Sequence, residues 1–147
     1  MQLPKTVQET WNLQYLRRLY RKALLESFRA QNVECLITPV HVAPAILHGT
    51  SQRILALVSY TGLYNLVDFP AGVVPATLVR TEDKTEREGR DMWDQDICKN
   101  ELNATGLPIG VQVVCPPFEE ALCVDVMEAI ASAKPFDHTP QPLQPMQ

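Results

Sequence analysis

Residues 71–79 run Ala71-Gly72-Val73-Val74-Pro75-Ala76-Thr77-Leu78-Val79, a short apolar stretch that is typical of a β-strand. Pro75 predicts a bulge or an edge position, because proline cannot donate a hydrogen bond to a neighbouring strand. The segment before it, Ile54–Phe69, is apolar at helical spacing and ends at Pro70. An earlier apolar run, Val33–Pro39, predicts a buried strand. The order strand, helix, strand predicts two parallel strands that are neighbours in one sheet, joined by a right-handed crossover.

The N-terminal part of the chain predicts a long amphipathic helix over about residues 7–31. Thr6 and Glu9 have the spacing of a capping box at its start. Basic residues cluster on one flank, and this flank has two interpretations: a solvated face, which is the commoner case, or peripheral contact with an anionic membrane. The apolar stripe, for which no partner is evident in the chain, contains Leu16, Leu19, Tyr20, Ala23, Leu24, Ser27 and Phe28.

Three further segments follow the second strand. Residues 80–105 are polar and charged, and they predict a surface excursion with a helix near Arg90–Leu102. Leu107–Cys115 predicts a third strand, and the segment from Pro116 to Lys134 predicts a helix whose first turn carries acids. Residues 136–147 are rich in Pro and Gln and predict a disordered tail. In the last helix the inward-facing positions are expected to be Leu122, Val126, Ala129 and Ile130.

These elements predict an α/β fold that is incomplete on its own. Near-continuous apolar strands require cover on both faces, and the edges of a three-stranded sheet leave backbone amides and carbonyls unpaired. We therefore expect residues 1–135 to form part of a larger mixed β-sheet flanked by helices. The rest of that sheet would come from a missing N-terminal region or from another subunit.

Composition narrows the class of protein. Hydrophobic residues make up 46% of the chain and charged residues 20%, so a folded domain is expected rather than a disordered chain. The net charge of −4 argues against a surface that binds nucleic acid. There is no signal-like start and no apolar run long enough for a membrane span, so we predict an intracellular protein, cytoplasmic or peripherally associated with intracellular membranes. The four cysteines and three histidines form no metal-ligand pattern, and we expect no metal, no cofactor and reduced thiols.

The sequence contains no complete set of catalytic residues. No serine lies in a G-x-S-x-G motif, no two serines or two glycines are adjacent, and no phosphate-binding loop is present. Nucleophilic catalysis requires a hydroxyl or thiol beside a base, with amides that bind the oxyanion. Lys84 and His41 are conceivable bases, but nothing places a nucleophile near them, so structural roles are favoured for both.

Several motifs in residues 10–135 nevertheless resemble the C-terminal third of amidase-signature enzymes, and within that family the fatty acid amide hydrolases. The matching segments, in order, are Leu36-Ile37-Thr38-Pro39, Ser59-Tyr60-Thr61, Leu63-Tyr64-Asn65, Asp68-Phe69-Pro70-Ala71-Gly72-Val73-Val74-Pro75, Asp91-x-Trp93-Asp94, Gly106-Leu107-Pro108-x-x-x-Gln112 and Glu119-Glu120-x-Leu122-Cys123. The resemblance implies a serine hydrolase of lipid metabolism that cleaves long-chain fatty acid amides into fatty acid and amine. The catalytic serines, lysine and Gly/Ser-rich loop of that family have no counterpart in this sequence, so no catalytic residue is assigned.

The resemblance does imply substrate-binding residues. Family members line an acyl-chain channel at positions that correspond here to Leu55, Val58, Gly62 and Trp93, although Leu55 and Gly62 differ in size from the residues expected there. Ordinary core packing is an equally good interpretation of these four residues.

Two functions from different classes remain open. In the first, the chain is the C-terminal part of a fatty acid amide hydrolase-like amidase, inactive alone, that completes the sheet and walls the acyl channel. In the second, it is a non-catalytic module, derived from an amidase, that binds a partner or a lipid.

Overall fold

The computed structural model describes residues 6–51, 55–83 and 87–137, without the side chains of residues 55 and 56. Most of the predicted tail and the side chain of Leu55 therefore lie outside the described part. The helices are α1 (Val7–Ala30), α2 (Ser59–Val67), α3 (Met92–Leu102) and α4 (Glu120–Ala133), with short 3-10 helices at Leu55–Val58 and Thr81–Asp83, and the strands are β1 (Leu36–Pro39), β2 (Ala71–Leu78) and β3 (Pro108–Val114).

The three strands form one sheet in the order β1-β3-β2. β3 pairs antiparallel with both of the others, so β1 and β2 run parallel to each other but are not neighbours. The prediction of neighbouring parallel strands is wrong, because a strand that comes later in the chain inserts between them. Val113 and Val114 of β3 are fully buried, which is the environment of a central strand.

The two outer strands are more exposed than the sequence predicted. In β1, Leu36 and Ile37 are 37% and 54% exposed, and Val73 of β2 is 47% exposed. Prolines lie in both strands, at Pro39 and Pro75, and the pairing of β2 with β3 is irregular between Pro75 and Thr77. Outer strands tolerate proline because one edge makes no ladder hydrogen bonds, so the expectation of a bulge or edge position at Pro75 is confirmed.

Helices cover both faces of the sheet. On one face Val114 packs with Phe28 of α1 and with Tyr64, Val67 and Phe69 in and after α2. On the other face α4 covers Val113 with Leu122, Val126 and Ile130, which were predicted to face inward. Cys123 and Met127 of α4 also contact this face. Ala129 is exposed instead of inward-facing, since the inward face of α4 is centred on Cys123. The inward residues that were predicted correctly are Leu122, Val126 and Ile130.

Helix α1 begins as the sequence predicts and packs differently. Thr6 and Glu9 form the capping box, with both side chain-to-backbone hydrogen bonds present. Only Phe28 is buried, and its ring meets that of Phe69 edge to face with centroids 5.6 Å apart. Much of the apolar stripe is exposed: Leu16, Leu19 and Tyr20 are 46–58% exposed.

The side of α1 that faces the body carries two arginines in addition to Leu24, Leu25 and Phe28. Arg17 and Arg21 both bind the carboxylate of Asp68, at 3.2 and 2.9 Å. Asp68 ends α2 in the left-handed conformation, with φ 54°. Aspartate tolerates this backbone better than most residues, and here its charge also joins two helices.

The remaining two helices start later than predicted. Helix α3 begins at Met92 rather than Arg90, because Asp91 is its N-cap. Helix α4 begins at Glu120 rather than at the prolines, because Phe118 takes a positive φ of 72° that a helix cannot continue.

Replacing Asp68 with Asn tests the link between α1 and α2. Asn keeps the preference for the left-handed backbone but removes the charge, so we expect the free energy of unfolding to fall by about 0.5–1 kcal/mol. The loss should shrink as salt is raised, because the pairs are partly solvated and screened. Urea unfolding at low and high salt measures both effects. A loss that is independent of salt would contradict the electrostatic explanation.

Candidate functional site

A buried polar network joins four of the motifs. The side-chain amide of Gln112, which is only 2% exposed, donates to the Thr38 hydroxyl at 3.1 Å and to the Tyr60 carbonyl at 3.4 Å. The Thr38 hydroxyl donates in turn to the Pro39 carbonyl at 3.2 Å, and Tyr64 lies close enough for Thr38 to influence its pKa. Thr38 and Gln112 face each other in the register of β1 and β3, while Tyr60 and Tyr64 lie on α2. The network therefore fixes α2 against the centre of the sheet.

The network lies in an apolar setting that shapes its chemistry. Burial raises the pKa of the Tyr64 hydroxyl, an effect that the nearby Thr38 hydroxyl partly offsets. No buried side-chain nitrogen or oxygen in the described residues lacks a hydrogen-bond partner. A satisfied polar network of this kind orients its members without leaving a free reactive group. The sequence motifs contained these residues, but their association depends on strand register, which the sequence did not predict.

The outer side of α2 carries two of the predicted acyl-channel residues. Val58 is 52% exposed, and a Cβ built on Gly62 would meet nothing within 4 Å. Leu66, one turn further along, is 51% exposed, whereas Tyr64 and Val67 on the opposite side are buried. The helix thus presents an open apolar face, which we call the α2 outer face: Val58, Gly62 and Leu66.

Trp93 lies in the first turn of α3, between two aspartates that fix the helix start. Asp91 accepts a hydrogen bond from the Asp94 amide at 2.8 Å, and Asp94 binds the Arg90 amide at 3.0 Å and the Arg87 guanidinium at 2.6 Å. The hydrogen bond from the Arg90 amide and then that from Arg87 lower the pKa of Asp94. Trp93 itself is 53% exposed. Its backbone is thus firmly positioned while its indole remains available for contact.

Two open grooves lie next to the sheet. One, of about 430 Å³, lies between the loop after β1 and the strands, and its lining includes Val40, Ile46, Val73 and Ile109. The other has a volume of about 520 Å³, and its lining includes charged residues from the segment after β2 and from α3. Neither groove is lined by Val58, Gly62 or Trp93. The three therefore do not share either groove.

The described residues contain no group of three His, Cys, Asp or Glu side chains arranged to hold a metal ion. None of the helices in the described ranges has both the length and the apolar character that crossing a bilayer requires. His41, a conceivable base, has its Nδ1 atom 2.9 Å from the Ala43 carbonyl, within its own loop.

The chain is thus an α/β protein with a satisfied polar network beside an exposed apolar helix face. A model of the amidase family matches residues 4–124, and the chain belongs to that family. It is similar to "Fatty-acid amide hydrolase 1" of Sus scrofa, with 36% identity over 132 residues that cover 86% of this chain and 23% of the relative.

Two further relatives give the same picture. "Fatty acid amide hydrolase 1" of Caenorhabditis elegans is 38% identical over 118 residues, which are 78% of this chain and 21% of the relative. A putative amidase of Schizosaccharomyces pombe is 28% identical over 134 residues, 88% of this chain and 24% of the relative. The chain therefore spans about a quarter of the length of the curated relatives it matches.

Replacing Thr38 with Val tests the polar network. The change keeps the shape but removes the hydroxyl that accepts from Gln112, and we expect the free energy of unfolding to fall by about 1–3 kcal/mol, because a buried amide loses a partner. Thr38→Ser, which retains the hydroxyl, is the matched control and should lose less. Denaturant unfolding of the two variants measures the difference. If Thr38→Val loses no more unfolding free energy than Thr38→Ser, the network does not hold α2 in place.

Proposed function

We propose that this chain forms part of a serine amidase that hydrolyses long-chain fatty acid amides to a fatty acid and an amine. The observation that carries the proposal is the similarity to two proteins named fatty acid amide hydrolase, at 36% and 38% identity over 86% and 78% of this chain. The buried network supports it, because Thr38, Tyr60, Tyr64 and Gln112 all belong to segments that resemble this family.

The chemistry requires groups that the 147 residues do not supply. Hydrolysis of an amide needs a nucleophile, a base that takes its proton, and donors that bind the oxyanion. We propose that a separate N-terminal amidase region, or another subunit, provides all three. This chain then contributes sheet, helix packing and part of the substrate-binding wall, and it is inactive alone.

Two kinds of open surface support an assembled enzyme. In the described residues no strand pairs with the outer edge of β1 or of β2, although both edges offer hydrogen-bonding groups. The α2 outer face and the apolar stripe of α1 expose large side chains to solvent. Burying such faces against the missing part would stabilise both partners, at about 25 cal/mol per Å² of apolar surface.

We further propose that the α2 outer face and Trp93 wall the acyl channel in that assembly. Gly62 leaves open space beside Val58, which gives a methylene chain room to lie along the helix. Each buried methylene contributes about 0.8 kcal/mol, so a longer wall favours a longer chain. Leu55 belongs to the same proposal through the sequence resemblance alone.

A second candidate function is binding of a lipid or a partner without catalysis. The groove of about 430 Å³ favours it, because its lining is apolar and open without any other subunit. A chain with this function would bind its ligand alone, and it would gain no activity from an added amidase region.

Reconstitution separates the two candidates. The purified chain should neither hydrolyse a long-chain fatty acid amide nor react with a serine-directed fluorophosphonate, because it lacks an activated nucleophile. Adding a separately expressed amidase region that carries the Gly/Ser-rich signature should restore hydrolysis, which is measured as the fatty acid released. Fluorophosphonate labelling of Ser27, Ser51, Ser59 or Ser132 in the chain alone would contradict the proposal.

Replacing Trp93 with Ala in the active assembly tests the acyl wall. If the indole contacts distal methylenes, kcat/KM should fall far more for a long-chain amide than for a short-chain one, since only the long chain reaches it. Met92→Ala, which changes another exposed residue in the first turn of α3, is the control and should affect both chain lengths alike. Equal losses for Trp93→Ala at both lengths would assign the indole to packing.

A further inference from the structure

Three of the four cysteines gather at one end of the sheet, on the face that α4 covers. Cys115 follows β3 and is fully buried, Cys123 lies on α4 and is 4% exposed, and Cys35, just before β1, is partly buried against both. All four cysteines are free thiols. The fourth, Cys98, lies on α3 and is not part of this cluster.

The register of β1 and β3, continued by one residue beyond the strands, places Cys35 opposite Cys115. Leu36 and Val114 are the last paired residues at this end, and Cys35 and Cys115 are the next residue of each segment. The Cys115 amide donates to the Pro70 carbonyl on the β2 side, at 3.0 Å. Its backbone groups therefore point away from β1, and the pair with Cys35 is of the non-hydrogen-bonded type.

This type of pair has the geometry that a disulfide needs. Opposite residues at a non-hydrogen-bonded position have Cα atoms about 4.5 Å apart and side chains on the same face of the sheet. Disulfides span Cα separations of about 4.4–6.8 Å. The packing agrees, because Cys35 and Cys115 belong to the same apolar cluster beneath α4.

We propose that Cys35 and Cys115 form a peroxide-sensitive modification site, which oxidises to a disulfide across β1 and β3. Cys35, the more exposed thiol, reacts first: its sulfur takes one oxygen from a hydroperoxide, giving a sulfenic acid and one molecule of water or alcohol. The Cys115 sulfur then attacks the Cys35 sulfur. The S–O bond breaks, and the hydroxyl leaves with the Cys115 proton as water, so two thiols lose two electrons to one hydroperoxide.

The surroundings of the two thiols explain this order. Burial, followed by the nearby Cys123 and Cys35 thiols, raises the pKa of Cys115 to about 12. Cys115 therefore stays protonated at neutral pH and is a poor first target for peroxide, and its attack on the Cys35 sulfur requires the departing hydroxyl to take its proton. Cys123 also lies against Cys115, but it belongs to α4 and its thiol donates to the Val113 carbonyl at 3.6 Å, whereas Cys35 lies on the adjoining strand segment. This inference does not depend on the proposed function.

Peptide mapping of the full 147-residue chain tests the site. The folded chain is treated with hydrogen peroxide, blocked with a maleimide, digested without reductant and analysed by mass spectrometry. We expect one intramolecular Cys35–Cys115 crosslink, with free thiols falling from four to two. Cys98→Ala should form the same crosslink, and Cys35→Ala should form none.

Cys115→Ala provides the sharpest readout, because it keeps the first step and removes the second. A 1,3-dione probe should then trap a sulfenic acid on Cys35, while the unaltered chain yields the crosslink instead. The proposal is overturned by a crosslink that involves Cys98 or Cys123, by a Cys35–Cys35 dimer, or by a Cys35 oxidised without any crosslink in the unaltered chain.

Discussion

The central position of β3 is the constraint on which the described structure depends. Its side chains alternate between two helical layers: Val114 faces α1 and α2, and Val113 faces α4. Its backbone pairs with β1 on one side and β2 on the other. Removing β3 would separate the strands, the two layers and the polar network at once, since Gln112 also lies on this strand.

Local features of the sequence predicted the elements well, since they depend on nearby residues. The capping box of Thr6 and Glu9 and the stop at Pro70 act within one turn of the chain. Strand order was not predictable in the same way. A strand–helix–strand pattern predicts parallel strands, and these strands are parallel, but nothing in that pattern reveals that β3 arrives later and separates them.

The sequence identified only part of the side of α1 that faces the body. Periodicity identified an apolar stripe, of which Leu24 and Phe28 pack inward, but Arg17 and Arg21 also lie on the core side, where they pair with Asp68. Hydrophobic spacing takes no account of a single carboxylate 47 residues away along the chain. The helical spacing of Ile54–Phe69 likewise did not tell which side of the helix is covered. Val58 and Leu66 on the α2 outer face are exposed, whereas Tyr64 and Val67 on the opposite side are buried.

The segment Asp68-Phe69-Pro70 shows why a short motif can require a particular residue at each of its positions. Asp68 reverses the chain in the left-handed conformation and binds two arginines of α1. Phe69 turns into the core against Phe28, and the Pro70 carbonyl accepts the hydrogen bond of the Cys115 amide. Three consecutive residues thus join α1, α2, β2 and the end of β3. An aspartate suits the first position because it tolerates a positive φ and carries a negative charge. Glycine and asparagine also tolerate a positive φ, but they are uncharged.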